Sequence, residues 1–118
     1  MTFREFVKAI NERRQDIKKV EKITNGVYIE YINGLKGYIY KGNYCEILKK
    51  LNINAMYKRD FEQLQNSLQK DIDLLNNPEK WQSIFYTFEQ YLPTLKNNIK
   101  EKQNKIDFYL SNFVFCDG

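Results

Sequence analysis

The spacing of apolar positions changes twice along this chain and divides it into three stretches. In the first, Phe3, Phe6, Val7, Ile10, Ile17 and Val20 recur at helical intervals. Thr2 followed by Glu5 has the form of a capping box, in which the two side chains satisfy free N–H groups at a helix start. The pattern predicts a helix over residues 1–24. At about 100° per residue, Arg4, Lys8, Lys18 and Lys22 fall on one line of that helix, and Glu5, Glu12 and Asp16 form an acidic line beside it.

From Gly26 to Lys41 the period shortens to two. β-branched and aromatic residues flank an Asn33-Gly34 pair, the strongest short-range signal for a β-hairpin. A two-residue turn there predicts the pairs Ile32 with Leu35, Ile29 with Tyr38 and Val27 with Tyr40. One face then carries Val27, Ile29, Tyr31, Tyr38 and Tyr40, and the other Tyr28, Ile32, Leu35 and Ile39. Both faces hold apolar residues, so helices are expected to cover one while tyrosines rim the other.

Helical spacing returns from residue 43. Asn43 with Glu46 signals a second capping box and a short helix through Leu51. Asn52 to Asn54 reads as a turn. Asp60 then caps a helix whose stripe is Phe61, Leu64, Leu68, Ile72 and Leu75, ending at Asn76-Asn77. Pro78 suits a first helical position. Trp81, Ile84, Phe85, Phe88 and Leu92 share an angular sector with Leu95, Ile99, Ile106, Leu110 and Phe113. This phase predicts one helix from Pro78 to Phe113, kinked near Pro93. Phe108 to Cys116 is apolar nearly all round and is expected to be buried. The expected architecture is therefore α+β and mainly α: an N-terminal helix, one antiparallel hairpin, a short helix and a long C-terminal helical hairpin. At 118 residues it reads as one domain spanning 1–118, with 43–118 its helical region.

Composition narrows the chemistry. The chain has no histidine, which removes the commonest general base and the usual zinc and iron ligands. Its five glycines form no phosphate-binding loop. Cys45 and Cys116 are too few for a disulfide scaffold or a zinc site, which points to a reducing cytosol. Cys45, in the first turn after Asn43, is the best single candidate for a reactive group, but it lacks a base and reads as structural. Glu12 and Asp16 share a wet helix face rather than a cleft. No enzyme activity, cofactor or metal is expected. No apolar run is long enough to cross a membrane, and the first residues lack the apolar core of a secretory signal. The abundance of Asn, Ile, Lys, Phe and Tyr suits an AT-rich bacterial genome or its phages and mobile elements.

Charge is uneven. Residues 1–60 hold 13 Lys and Arg against 7 Asp and Glu, and residues 61–118 hold 6 against 8. Two binding functions fit these features. The first is a protein–protein interaction module, an inhibitor or regulator of a host factor encoded by a phage or mobile element. It would use Tyr28, Tyr31, Tyr38, Tyr40 and Tyr44 with Lys36 and Lys41, and could form a homodimer through the C-terminal helix. The second is a nucleic-acid-binding regulator. Residues 46–64 resemble a degenerate helix-turn-helix, with Lys49, Lys50, Tyr57, Lys58 and Arg59 as contacts and the line of Arg4, Lys8, Lys18 and Lys22 as a phosphate ridge. Leu48 stands where that motif has a small residue, and Tyr57 and Phe61 fall one residue early.

Overall fold

The computed structural model describes residues 1–40 and 42–117. Its elements run α1 (Phe3–Arg13), β1 (Ile17–Ile23), β2 (Gly26–Tyr31), β3 (Lys36–Tyr40), α2 (Tyr44–Lys50), β4 (Ala55–Tyr57), α3 (Lys58–Asn76), a 3₁₀ turn (Pro78–Lys80), α4 (Phe88–Asn112) and β5 (Val114–Cys116). The α+β order expected from the pattern holds: helix, hairpin, helices and a long C-terminal helix. The chain divides into two compact units, 1–58 with 113–118, and 59–112.

In the first unit, Thr2 Oγ1 accepts the Glu5 N–H at 3.2 Å and opens α1 as expected. The helix then stops at Arg13, and residues 17–23 form a strand rather than its continuation to residue 24. A β-bulge explains the misleading pattern. Ile17 pairs with Tyr31 and Lys19 with Glu30, so Lys18 is the extra residue. The bulge reverses the strand's alternation, which puts Ile17 and Val20 on the same covered side three residues apart and imitates a helical stripe. Lys18 and Lys22 therefore leave the ridge proposed with Arg4 and Lys8, which stay on α1. Arg14 fixes the junction. Its Nε and Nη2 donate to Asp16 Oδ1 and Oδ2 at 2.9 and 2.8 Å, and its Nη1 donates to the Leu51 carbonyl at the end of α2. Asp16 is held below the usual carboxylate range by the Arg14 hydrogen bond.

The sheet order is β1-β2-β3, all antiparallel. The hairpin turn is one residue longer than expected. Tyr31 N–H donates to Leu35 O at 2.8 Å, Gly34 N–H to Tyr31 O at 3.0 Å, and Leu35 N–H to Asn33 Oδ1 at 3.0 Å. Of the turn residues only Gly34 has positive φ, at 90°. This is a three-residue loop ending in a left-handed glycine, not a type I′ turn. The pairs become Val27 with Ile39, Tyr28 with Tyr38 and Ile29 with Gly37. A shift of one residue turns every β3 side chain to the opposite face.

Val27 and Ile29 point into a core with Phe6, Ala9, Ile10, Ile17, Cys45, Ile47, Leu48, Leu51, Ile53, Ala55 and Cys116. Asn43 Oδ1 accepts the Glu46 N–H at 3.0 Å and starts α2. β4 and β5 pair in parallel, joining Ala55 to Val114 and Tyr57 to Cys116.

α3 begins at Lys58, the last residue of the first unit before residue 59 opens the second, so Asp60 sits in its first turn rather than capping it. Phe61 and Leu68 are buried, and Leu64, Ile72 and Leu75 half-buried. The continuous helix expected from Pro78 does not form: residues 81–87 are irregular and α4 starts at Phe88. A reciprocal capping box sets that start. Thr87 Oγ1 accepts the Gln90 N–H at 3.2 Å, and Gln90 Oε1 accepts the Thr87 N–H at 2.9 Å. Trp81 stacks on Tyr91 with ring centroids 4.6 Å apart and donates its indole N–H to Tyr86 O at 2.8 Å. Ile84 and Phe85, expected in a buried stripe, are 91% and 81% exposed. α4 runs through Pro93 and buries Leu95 and Ile106. Lys102 Nζ meets Asp71 Oδ2 at 2.6 Å and ties α4 to α3. The expected burial of 108–116 holds for Cys116 but not for Phe108 and Leu110, which are exposed.

Candidate protein-binding surface

The sheet's outer side is built by strand alternation. With the core-facing positions settled by Val27, Ile29 and Ile39, the outward positions form three rows across β1, β2 and β3. These are Lys19–Glu30–Lys36, Glu21–Tyr28–Tyr38 and Ile23–Gly26–Tyr40. The register shift thus brings Tyr28 to the same side as Tyr38 and Tyr40. The Tyr28 and Tyr38 centroids lie 5.1 Å apart at 48°, and those of Tyr38 and Tyr40 6.0 Å apart at 13°. Both geometries are favourable for aromatic pairs and hold the rings in place. Tyr38 and Tyr40 remain 58% and 56% exposed, and Tyr28 is half-buried.

The flanking charges are mixed. Lys19 Nζ lies 2.7 Å from Glu21 Oε1, and that hydrogen bond raises the Lys19 pKa. Glu30 stands opposite Lys36 on the neighbouring strand. Two lysines and two glutamates leave no strong field of one sign over the rings. At the hairpin end, Ile32 and Leu35 are 67% and 65% exposed. Leu35 stands opposite Tyr31 and has its core-side parity, and the charged Glu30–Lys36 row separates the hairpin end from the tyrosines; the expected turn would instead have paired Ile32 with Leu35.

The remaining residues of the expected patch lie elsewhere. Tyr31 has the parity of Ile29 and packs against the core. The Tyr44 ring, on α2, sits 5.0 Å from Phe6 and 6.2 Å from Phe3, so it too is a core contact. Lys41 lies outside the described residues.

The helix-turn-helix reading loses its geometry. A strand, β4, stands between α2 and α3 where the motif has a short turn. Tyr57 is held by Asn43 and Glu46, accepting from Asn43 Nδ2 and donating to Glu46 Oε1, each at 3.3 Å. Lys49 Nζ lies 4.6 Å over the Tyr57 ring centroid. Lys58 Nζ meets Asp117 Oδ1 at 3.1 Å, and Arg59 Nε meets Asp60 at 3.8 Å. Lys50 is exposed on α2.

Cys45 and Cys116 are both buried and unoxidised. Burial, with Cys45 alongside, pushes the Cys116 thiol up to about 12, the opposite of nucleophile activation. A cleft of about 290 Å³ opens beside Cys45, between the β1–β2 turn and the start of α2, with Lys22, Asn43 and Asp117 on its wall. Among the described residues, no three His, Cys, Asp or Glu side chains are grouped to hold a metal. No helix among them is long and apolar enough to cross a membrane.

Sequence reasoning named Tyr28, Tyr38 and Tyr40 but placed them on two faces. It missed the exposure of Ile32 and Leu35, which follows from the turn. No protein-family model, curated protein or solved structure matches the chain.

Proposed function

We propose that this protein is a small non-enzymatic binding module that docks a protein partner on the open face of its β1-β2-β3 sheet. The observation that carries the reading is the contiguous set Tyr28, Tyr38 and Tyr40, pre-packed against one another, with Tyr38 and Tyr40 open to solvent and Tyr28 half-buried beside Tyr38. Tyrosines held this way offer large contact area with little rotamer entropy left to lose, which is why they are enriched at binding hot spots. Lys19, Glu21, Glu30 and Lys36 around the rings form a polar rim. The mixed signs of Lys19, Glu21, Glu30 and Lys36 favour a protein surface over a phosphate backbone, which requires net positive charge. Such a module acts by occupying its partner's surface, as a cytosolic inhibitor or regulator does.

The test is affinity capture from a bacterial lysate with the wild-type chain and with a Tyr38→Ser, Tyr40→Ser variant of unchanged circular dichroism. A partner that is retained by the wild type, lost by the variant and rebound in purified form supports the reading. Identical capture by both proteins refutes it. A parallel titration with labelled oligonucleotides at low and moderate salt checks the competing activity. Binding that falls steeply with salt and depends on Lys49 and Lys50 would move the function to nucleic acid.

A further inference from the structure

The two edges of the three-stranded sheet are built differently. β1 carries a bulge at Lys18 and the charged residues Lys18, Lys19, Glu21 and Lys22. Bulges and lysines are the usual devices that stop an edge strand from pairing with another chain. β3, at the other edge, is Lys36-Gly37-Tyr38-Ile39-Tyr40. It has no proline and its pairing with β2 is regular, with a single lysine at one end.

The hairpin register says which backbone groups of β3 face outward. Tyr31 N–H bonds to Leu35 O, so the ladder pairs that follow are Ile29 with Gly37 and Val27 with Ile39. The N–H and C=O groups of Gly37 and Ile39 therefore point at β2. Those of Lys36, Tyr38 and Tyr40 point away from the sheet. Among the described residues, β3 has no strand on that side, and these three residues are exposed.

We propose that the β3 edge is a self-association surface, at which a second copy of this chain adds its own β3 antiparallel across a two-fold axis at Tyr38. The strand is self-complementary in that arrangement. Each outward N–H and C=O of Lys36, Tyr38 and Tyr40 meets its complement on Tyr40, Tyr38 and Lys36 of the second copy. Like charges do not face each other: each lysine lies beside a tyrosine ring, a favourable cation–π pairing. The small Gly37 falls opposite Ile39. The tyrosine rows of the two copies join into one six-ring surface across a continuous sheet of six strands. A two-fold contact of this kind closes on itself and stops at a dimer, because the β1 edges left outermost are the bulged, charged ones. The paired strands are only five residues long, so the contact is smaller than the roughly 800 Å² per partner of a tight complex, and association is weak. This inference concerns the strand edge and stands apart from the docking face, whose partner is a different protein.

The test is sedimentation equilibrium of the full chain from about 10 μM to about 1 mM, the range in which small interfaces populate. The average mass should rise from 14.3 kDa toward twice that value. Tyr38→Pro removes an outward N–H at an edge position where proline is compatible with the sheet. Tyr38→Thr keeps the N–H and a strand-forming residue. The proline variant should dimerise at least about tenfold more weakly than the threonine variant. Should the proline variant lose its circular dichroism, amide hydrogen exchange on the unaltered chain decides. The Lys36, Tyr38 and Tyr40 amides should gain protection at high concentration, whereas Gly37 and Ile39 are protected throughout. A mass that stays at 14.3 kDa at every concentration overturns the proposal. So does equal dimerisation by the two folded variants, or a dimer in which those three amides gain no protection, as contact through α4 would produce.

Discussion

Three glycines in one hairpin make three different predictions, and together they test the register that assembles the tyrosine face. Gly34 closes the turn at φ 90°, and a Cβ added there would meet nothing within 4 Å. The cost of Gly34→Ala is thus purely conformational, about 1–2 kcal/mol for an L-residue in the left-handed region. The reduced freedom of the unfolded chain returns about 0.4–1 kcal/mol, leaving a net loss near 1 kcal/mol. Gly37 also has open space around its Cβ position but no left-handed φ. Gly37→Ala should be neutral or stabilising by about 0.5 kcal/mol, from the unfolded-state entropy alone. A Cβ at Gly26 would run into the Ile39 carbonyl oxygen and crowd the Tyr40 backbone, neither of which can swing aside as a side chain would. Gly26→Ala should cost about 3 kcal/mol, the upper end for overpacking. Urea titrations followed through the NMR signals of Val27 and Ile29 report on this sheet directly, and the midpoint shifts give the three values at constant slope. If Gly37→Ala costs more than Gly34→Ala, or Gly26→Ala costs no more than Gly34→Ala, the register is wrong. The face built on it would then dissolve.

Further predictions address the rest of the chain. Arg14→Ala removes a two-pronged bond to Asp16 and the donor to the Leu51 carbonyl, and should lower the stability of the first unit by about 1–3 kcal/mol in urea unfolding. Asp16 is depressed by its Arg14 hydrogen bond, so its contribution is complete above the ordinary aspartate range and is lost only as pH falls through the lowered value. A carbon-detected NMR titration should therefore place its midpoint below about 3.9, and a midpoint at or above that value would show the bond is not formed. Cys116, at about 12, should be alkylated at pH 8 on the order of a thousandfold more slowly in the folded chain than in urea; equal rates would contradict its burial. A double-mutant cycle on Lys102→Met and Asp71→Asn should give a coupling of about 1 kcal/mol, above that of a fully exposed pair, because these side chains are only 27% and 18% exposed.

The elements that sequence reasoning located well are those whose signals are local. Thr2 with Glu5 and Asn43 with Glu46 start helices because each side chain reaches only three residues along its own backbone. Thr87 with Gln90 is the same kind of signal and was legible. It lies inside the stretch whose apolar phase joins Trp81 to Leu95, a phase the structure breaks by leaving Ile84 and Phe85 open to solvent.

What the chain determined by itself is the coarse order of helix, hairpin, helices and long C-terminal helix, the presence of a hairpin at Asn33-Gly34, and the absence of histidine chemistry. Each follows from residue type and near-neighbour spacing. Pairing between strands decided the rest. Lys18 became a bulge only because β2 lies beside it, and that bulge gave Ile17 and Val20 their shared side. One additional turn residue turned Tyr38 and Tyr40 away from Tyr31, which packs against the core, and onto the side of Tyr28. Side-chain facing in a sheet alternates at every residue, so a pattern that tolerates apolar groups on both faces leaves the register open. Burial of Val27, Ile29 and Ile39 against α1 and α2 closed it, and a surface of three tyrosines is the consequence.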